Sequence, residues 1–525
     1  MNFKVEKSEN FSGGRNVVAK VNFKVGDLLF KEKSFASIPM KSVLFSNRYC
    51  SWCCKKLINV NSGVSQIDEE TGEETTITNP ESTLSHQCKY GCTLWFCSEE
   101  CSNQLVHQLE CSFVEPVLVS SLKFDCDHSL ALLAIRVLLK KSTESDLFDT
   151  TVGHLTSQKE SFIQQHRGWY EKYEKFCDHF MEGLKSDSAD PIITSIFNKD
   201  QILDIICSIA VNAFAGLSEI EFNRLPISNG FFYKAALLNH SCEPNTYFSV
   251  DGESIEFRLI KETAIDETIY DTYVDLLQPT INRQKTLLQN KNFLCKCSRC
   301  LSPSENGRYF SSIKCKKCDI GYLSPKVTQN AQTLQLEQHW SCQNNCSISE
   351  DNQSLDKKLL DIQTLLDKQS FQTLQSLEEY KISVENALNE LHQNHYLQLQ
   401  YHLTMTKFYK IFQDLHKAIN HCRKLTKLVE IILDHPSGES VDCYFKLGEL
   451  CENLVFSLSQ KINASKSQGI TNEITQLGND IRSLLKECND SYKKSLELAV
   501  LCYGESNIKT LFISDSYNKS KVNKK

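Results

Sequence analysis

The sequence contains no run of about 20 apolar residues, so none of its segments is expected to span a membrane. Residues 1–11 are polar and mixed in charge, without the apolar stretch of a secretory signal, so secretion is not expected. An excess of basic charge is also missing, because 58 Lys and Arg face 65 Asp and Glu and the net charge is −7. That balance argues against a protein whose main task is to bind nucleic acid directly.

Cysteine, in contrast, is abundant, with 24 residues in a chain of 525. In a long chain without a secretory signal, cysteines paired at gaps of two and three residues indicate metal binding rather than disulfides. The length itself predicts about two to four domains.

The hydrophobic pattern predicts a multidomain α+β protein. Strand-like alternation around the turn Val25-Gly26-Asp27 covers residues 14–39, and short strands return between 230 and 275. Helical periodicity covers about 115–222. It returns over 352–505, where apolar residues recur every three or four positions, as in stacked antiparallel helix pairs.

Two polar segments are expected to lack fixed structure. The stretch 61–83 is rich in Glu, Thr, Ser and Asn and has little to bury, so we interpret it as a disordered acidic loop. The lysine-rich tail after about residue 515 is expected to fray.

Eight soft ligand candidates lie between residues 50 and 111, in four pairs. Thiolates and an imidazole at such spacings are the ligands of closed tetrahedral zinc sites, in which metal and fold form together. Because two small neighbouring sites usually interleave, we assign alternate pairs to each metal: Cys50, Cys53, Cys97 and Cys101 to one, and Cys88, Cys92, His107 and Cys111 to the other. Cys54, next to Cys53 in the chain, is not assigned as a metal ligand. The alternative, free core cysteines, does not account for the regular gaps.

A further pair of pairs follows at residues 310–347. Cys315-x2-Cys318 and Cys342-x3-Cys346, separated by a strand-like stretch, resemble a small zinc ribbon and form a candidate fourth zinc site. The other cysteines, such as Cys177, Cys422 and Cys488, are interpreted as small core residues or exposed thiols.

The order CxxC, CxxxC, FCSEEC and HxxxC resembles a MYND zinc finger, a protein-interaction module. Members of that family usually carry a tryptophan shortly before the histidine, whereas residues 103–106 read Asn-Gln-Leu-Val here. Fingers that bind proline-rich peptides use that ring. The resemblance therefore implies the zinc scaffold and protein partners, but not that peptide specificity.

The string LLNHSCEPNTYF, which contains Asn239 and His240, resembles the signature of a SET domain. Upstream, Gly14-Arg15-Asn16 resembles the N-terminal motif that cradles the cofactor. Downstream, AIDETIYDTYVDLL resembles the strand that ends in the catalytic tyrosine, here Tyr273. The CKCSRC that follows matches the post-SET motif, which in this family closes the active site with a structural zinc held by Cys242, Cys295, Cys297 and Cys300.

This combination resembles the SMYD family of SET and MYND domain-containing protein-lysine methyltransferases. The implied fold is a β-rich SET domain split by a MYND zinc finger, with a cysteine-rich post-SET segment and a C-terminal all-α TPR-like helical domain. The implied boundaries are 1–48 for the N-terminal SET part, 49–112 for the finger, 113–225 for a helical SET insert, 226–278 for the SET core, 279–301 for the post-SET segment, 310–347 for the ribbon and 352–510 for the helical domain.

The resemblance implies an enzyme that methylates histone or non-histone lysines with S-adenosylmethionine and holds three structural zinc ions. The ribbon, which many members of the family lack, is a candidate fourth site on its cysteine spacing alone. It assigns catalysis to Tyr273 and the substrate channel to Phe214 and Phe232. Cofactor binding is assigned to Gly14, Arg15, Asn16, Asn212, Asn239, His240, Tyr273 and Phe293. Taken singly, buried phenylalanines are ordinarily core residues, and it is their placement around NHSCEPN that favours the functional interpretation.

The chemistry of the reaction fits this assignment. A lysine ammonium has a pKa of about 10.4 and must lose a proton before its nitrogen can attack a sulfonium methyl group. A narrow apolar channel lowers that pKa because it disfavours the ammonium, and alignment supplies much of the remaining catalysis.

Two residues depart from the family pattern. Asn16 stands where a glycine usually ends the N-terminal turn, and asparagine tolerates left-handed backbone better than most residues. Lys291 stands where the family places a second channel tyrosine. These departures keep open the alternative of a catalytically weak scaffold that acts through its finger and helical tail.

The expected partners are a protein substrate with a lysine in an extended segment, and proteins that bind the finger and the helical tail. The chain is expected to be a monomer in the cytoplasm, the nucleus or both, without direct contact to nucleic acid or membrane.

Overall fold

The computed structural model describes residues 2–7, 14–57, 65–67, 74–76, 85–186, 195–217, 226–318, 320–330, 332–333, 335–347, 351–368, 371–468 and 471–522. It confirms a mixed α+β architecture with a C-terminal helical region. Within these residues, no helix is both long enough and apolar enough to cross a membrane.

The strands in chain order are β1 Phe3–Lys7, β2 Arg15–Ala19, β3 Leu28–Lys33, β4 Ala36–Pro39, β5 Ser65–Ile67, β6 Glu74–Thr76, β7 His86–Gln87, β8 Trp95–Phe96, β9 Phe214–Leu217, β10 Pro226–Phe231, β11 Asn239–His240, β12 Thr246–Asp251, β13 Ser254–Leu259, β14 Thr268–Asp271, β15 Ile313–Lys314, β16 Tyr322–Gln329 and β17 Leu336–Cys342.

The α-helices cover Glu99–Ser102, Leu105–Glu110, Val114–Lys123, His128–Thr143, Ser145–Thr150, Lys159–Gln165, Arg167–Ser186, Lys199–Asn212, Thr280–Lys291, Ser298–Leu301, Asn352–Asp367, Leu374–Leu388, Tyr396–Ile411, Leu415–Leu433, Gly438–Gln468, Thr471–Tyr503 and Ile508–Val522. Three short 3₁₀ helices cover Cys111–Phe113, Val152–His154 and Ala235–Leu237.

Three small sheets pair the N-terminal strands with strands that lie far later in the chain, from Pro226 onward. Their orders are β1-β2-β14-β11, β4-β10-β9 and β12-β13-β3. Thr268 pairs with Val18 and Glu256 with Lys31, so the two halves complete one another's sheets. The expected turn at Gly26 is present with φ +91°, a left-handed conformation that favours glycine.

The cysteine-rich residues 50–57 and 85–111 share one core with the helices that follow them. The region predicted to be helical, about 115–222, contains the apolar helices His128–Thr143 and Lys199–Asn212. Asp127 caps the first by accepting from Ser129 N at 2.8 Å. Phe176 and Phe180 of helix Arg167–Ser186 stack in the same core, with ring centroids 5.8 Å apart.

Part of the acidic stretch 61–83 has a described backbone. There β5 and β6 form an antiparallel pair, with Gln66 opposite Thr75. The remainder of that stretch, on which the prediction of disorder also falls, lies outside the described residues.

The C-terminal helices pack against the strand region as well as against each other. The Oη atoms of Tyr247 on β12 and Tyr503 lie 3.2 Å apart. Leu501 fills the space where a Cβ on Gly26 would stand. The prediction of a frayed tail is wrong as far as Val522, because helix Ile508–Val522 is anchored by the buried Ile513.

Candidate metal centres and catalytic cavity

The first two ligand sets come together as assigned. Cys50, Cys53, Cys97 and Cys101 form one group and Cys88, Cys92, His107 and Cys111 another, with all ligand atoms of a group within 4.8 Å of one another. Cys53 Sγ and Cys97 Sγ are 3.5 Å apart, and Cys88 Sγ and Cys111 Sγ are 3.7 Å apart. A tetrahedral zinc with bonds of about 2.3 Å requires sulfur separations of about 3.8 Å. These sets could therefore each hold a zinc ion.

Local structure explains the interleaving. The β7–β8 hairpin carries Cys88 and Cys92, while helix Glu99–Ser102, capped by Ser98, projects Cys101 towards Cys97 at 3.5 Å. Cys54 lies outside both groups, as expected. Burial raises the pKa of its thiol to about 12, which keeps it neutral.

Next to His107 lies a buried ion pair, formed by Glu110 and Arg136, that the sequence interpretation missed. Glu110 Oε2 is 3.7 Å from His107 Nδ1, and Arg136 donates to both Glu110 oxygens at 3.0–3.2 Å. Arg136 also donates to the carbonyl of Ser51 at 2.8 Å and to that of Ser37, so it joins the finger to β4. Although burial opposes ionisation, the charges of Arg136 and His107 hold the pKa of Glu110 below its usual value.

Both missed residues left a signal in the sequence. Glu110 follows His107 by three positions, one helical turn, where a carboxylate can orient a ligating imidazole. Arg136 interrupts the apolar run SLALLAIRVLL, and a charge in the middle of a buried helix requires a partner.

The third set contains Cys242, Cys295, Cys297 and Cys300, again within 4.8 Å. Cys242 and Cys300 Sγ are 3.5 Å apart. Gln284 of helix Thr280–Lys291 exchanges two hydrogen bonds of 2.8 Å with the backbone of Cys295, which fixes this loop. The set therefore ties residues 293–301 to the NHSCEPN segment.

The fourth set, Cys315, Cys318, Cys342 and Cys346, is equally compact. It stands at the end of the β15-β16-β17 sheet, whose Ile313 and Trp340 share a core with the C-terminal helices. All four cysteine-rich sets could bind zinc.

The NHSCEPN segment contacts the start of β2. Asn239 and His240 form β11, parallel to β14, and the Asn239 carboxamide donates to Asn16 Oδ1 at 2.9 Å and to the carbonyl of Arg15. Asn245 bridges to β14 by accepting from Tyr270 N at 2.7 Å. Residues from the two halves of the chain thus meet at one point.

His240 is the centre of a small aromatic group. Its ring centroid lies 5.3 Å from that of Tyr273 and 6.0 Å from that of Phe293. Its Nδ1 accepts from Tyr273 N at 3.0 Å. The cofactor-binding candidates Arg15, Asn16, Asn239, His240, Tyr273 and Phe293 are therefore neighbours, with Gly14 next to them in the chain.

A cavity of about 350 Å³ opens beside this group and is lined by Asn212, Phe214 and Tyr273 among others. The hydroxyl of Tyr273 donates to the carbonyl of Leu238, and burial raises its pKa. Phe232 is placed differently: it is fully buried in the core, with its ring edge-on to Phe214 at 6.4 Å, and it does not line this cavity.

Lys291 and Asp271 are among the further titratable residues that line the cavity. Lys291 holds its Nζ 5.1 Å from the Tyr273 ring centroid and donates to the carbonyl of Val211. Burial lowers the pKa of Lys291 to about 8, against the opposing charge of Asp271. Asp271, which the sequence interpretation did not single out, ends β14 with a side chain that is 1% exposed.

Fold and site together define a cysteine-rich α+β protein with four zinc-type ligand sets and a cavity beside β11 and β14. No family model matches the chain. Among curated proteins it is 25% identical to the SET domain-containing protein SmydA-8, isoform B, of Drosophila melanogaster, over 63% of this chain and 64% of that protein. It is 24% identical to the N-lysine methyltransferase SMYD2 of Bos taurus over 56% of this chain and 59% of that protein.

With the N-lysine methyltransferase SMYD2-A of Danio rerio, the identity is 23% over 58% of this chain and 62% of that protein. The chain therefore matches less than two thirds of the length of these relatives. They confirm the resemblance predicted from the motifs, because the proteins to which the chain is similar are SET domain and SMYD proteins.

Proposed function

We propose that this chain is an S-adenosylmethionine-dependent protein-lysine N-methyltransferase, in which a MYND finger splits the SET domain and the C-terminal helices form a TPR-like wall. The observation that carries the proposal is the meeting of Asn239, His240 and Tyr273 near the start of β2, beside a cavity that Tyr273 also lines. The relatives named N-lysine methyltransferase support the reaction class.

The residues around β11 and the start of β2 fit the cofactor. The carboxamides of Asn16 and Asn239 and the rings of His240 and Phe293 are part-exposed, so they combine hydrogen-bonding groups with flat surfaces suited to an adenosine. We assign cofactor binding to these four residues together with Gly14, Arg15, Asn212 and Tyr273. When bound, S-adenosylmethionine supplies an electrophilic methyl group.

The chain's own residues orient the reaction. Tyr273 is fixed by its hydroxyl bond to Leu238 and by its backbone bond to His240, so its ring forms a rigid wall. Phe214 supplies a second apolar wall, and Phe232 supports Phe214 from the core. Such walls exclude water and lower the pKa of an entering lysine amine.

The four ligand sets are proposed to hold structural zinc. Each offers four soft donors and leaves no place for a catalytic water. The set at Cys242 would hold the post-SET segment beside the cavity, and the set at Cys315 would join the ribbon to the helical domain.

The substrate is proposed to be a histone or non-histone protein that presents a lysine in an extended segment. The finger and the helical tail are proposed to bind further protein partners. A monomer working in the cytoplasm, the nucleus or both fits this function.

Transfer of labelled methyl from S-adenosylmethionine to histones and to cytosolic proteins tests the proposal. We expect label on lysine with the zinc-loaded chain and a loss of at least about 100-fold with Tyr273→Phe. Tyr270→Phe is the matched control, because Tyr270 lies three residues away and does not line the cavity. Equal activity of the two variants would remove Tyr273 from the mechanism.

A second candidate function is that of a catalytically weak scaffold, favoured by the position of Lys291 inside the cavity. Calorimetry with S-adenosylmethionine separates the two. One-to-one binding supports the enzyme, whereas absence of both binding and methyl transfer supports the scaffold.

A further inference from the structure

Asp271 is a buried acid for which the mechanism above has no use. Its side chain is 1% exposed, and neither carboxylate oxygen has a hydrogen-bond partner among the described residues. Burying a carboxylate in this way is costly unless a cation or a donor joins it. Because Asp271 lines the cavity, the missing partner can come from a ligand.

The backbone leaves the carboxylate little freedom to withdraw. Asp271 pairs with His240 across the parallel β11–β14 ladder, and its carbonyl accepts from Ser241 N at 2.9 Å. Its neighbour Tyr270 is held by Asn245. The same backbone segment carries Tyr273 two residues later, so the acid and the tyrosine are presented to one cavity.

The acidic side chains that line the cavity with Asp271 differ in how deeply they are buried. Exposed Asp275 and half-buried Glu439 lie on the cavity wall, and fully buried Asp271 is the innermost acid. Lys291 is the cation on the same wall, but its Nζ donates to Val211, and it forms no ion pair with Asp271 within 4 Å. Tyr273 directs its hydroxyl to Leu238, and His240 directs Nδ1 to the backbone.

We propose that Asp271 receives the ammonium group of the substrate lysine and takes up its proton before methyl transfer. In this step one N–H bond of the ammonium breaks and an O–H bond forms on Asp271. The nitrogen lone pair becomes free to attack the methyl carbon, and the proton later leaves to water through the cavity mouth. The inference rests on the proposed function and adds a proton acceptor to it.

The acid strength of Asp271 suits this role. Burial raises the pKa of Asp271 to about 8, against the opposing effects of the Thr272 backbone and the charge of Lys291. A base is most effective when its pKa lies near the working pH, because it then both accepts and releases a proton readily.

Binding of n-butylammonium, which mimics the lysine side chain, tests the inference without relying on activity. The full zinc-loaded chain is first saturated with S-adenosylhomocysteine, and butylammonium is then titrated by calorimetry between about pH 6 and pH 9. We expect the wild-type affinity to rise close to tenfold per pH unit up to about pH 8 and then to level off, because only ionised Asp271 attracts the cation.

In Asp271→Asn the affinity at about pH 9 should be at least tenfold weaker than in wild type, and the tenfold rise per pH unit below about pH 8 should be lost. Asp266→Asn, an exposed acid outside the cavity that pairs with Lys4, is the matched control and should retain the wild-type profile. Equal affinities in wild type and Asp271→Asn, or no binding of butylammonium to either, would overturn the inference. Failure of S-adenosylhomocysteine itself to bind would instead overturn the proposed function.

Discussion

The side chains of Asn16 and Asn239, 223 positions apart, are joined by a hydrogen bond of 2.9 Å. This bond links the start of β2 to the NHSCEPN segment, the two parts of the chain proposed to hold the cofactor. The intervening chain, which includes the cysteine-rich residues 50–111 and the helices that follow them, leaves this contact intact.

Replacing Asn239 by alanine should weaken both the fold and cofactor binding. The change leaves the Arg15 carbonyl and Asn16 without their donor, which costs about 1–3 kcal/mol of unfolding free energy. Urea denaturation and calorimetry with S-adenosylmethionine measure the two effects. Asn282→Ala, at an exposed helical asparagine, should change the unfolding free energy by less than about 0.5 kcal/mol.

Replacing Arg136 by methionine should destabilise the protein by about 3–5 kcal/mol, because it leaves the buried Glu110 carboxylate unpaired. The comparison is Arg423→Met, which breaks a part-exposed ion pair with Glu487 and should cost only about 0–1 kcal/mol. Thermal unfolding of both variants checks the difference. Similar losses would show that Arg136 does not anchor the finger.

Zinc content should follow the four ligand sets. Native mass spectrometry is expected to find four zinc ions in the wild type and three in Cys318→Ser. Cys54→Ser should keep four, because Cys54 lies beside a ligand but outside every set. A wild type with three ions would instead mean that the ribbon folds without metal.

The pH dependence of stability should reveal Asp271. Its pKa is about 8 in the folded protein, whereas an aspartate in the unfolded chain has a pKa of about 3.9. Between these values the folded state keeps a proton that the unfolded state has lost. The contribution of Asp271 to stability is therefore fully present below about pH 4 and is lost as the pH rises towards 8, at up to about 1.4 kcal/mol per pH unit.

Asp271→Asn removes this dependence, so the variant should gain stability relative to wild type between about pH 5 and pH 8. The measurement is the unfolding free energy in urea at several pH values. The titration of Lys291 does not affect this comparison between about pH 5 and pH 8. Its lowered pKa of about 8 makes its contribution change only between about pH 8 and its usual 10.5. A constant difference between the two proteins across this range would contradict the assignment.

Much of the architecture could be predicted because its signals are local. The gaps between Cys88, Cys92, His107 and Cys111 are short, so ligand spacing alone indicated which residues meet, and the structure brings them together. The apolar periodicity of the two insert helices was equally local. The tail beyond residue 515 was mispredicted, because its helix depends on Ile513 and on packing against other helices.

Phe232 shows the limit of assignment by position. Its distance from Asn239 in the chain suggested a channel wall, yet its ring lies in the core, where it fills the space beside Gly230. The direction in which a side chain points depends on the sheet register and on its neighbours, which sequence spacing does not specify.

The sequence by itself determined the resemblance to SMYD proteins, the metal-ligand sets and the two distant motifs that meet at β2 and β11. These depend on residue type at short spacing, which metal geometry and strand pairing require. Only the tertiary structure decided that Asp271, Lys291 and Glu439 line one cavity and that Arg136 supports His107 through Glu110. A charge has its energy set by burial and by the partners that surround it, and those arise from segments far apart in the chain.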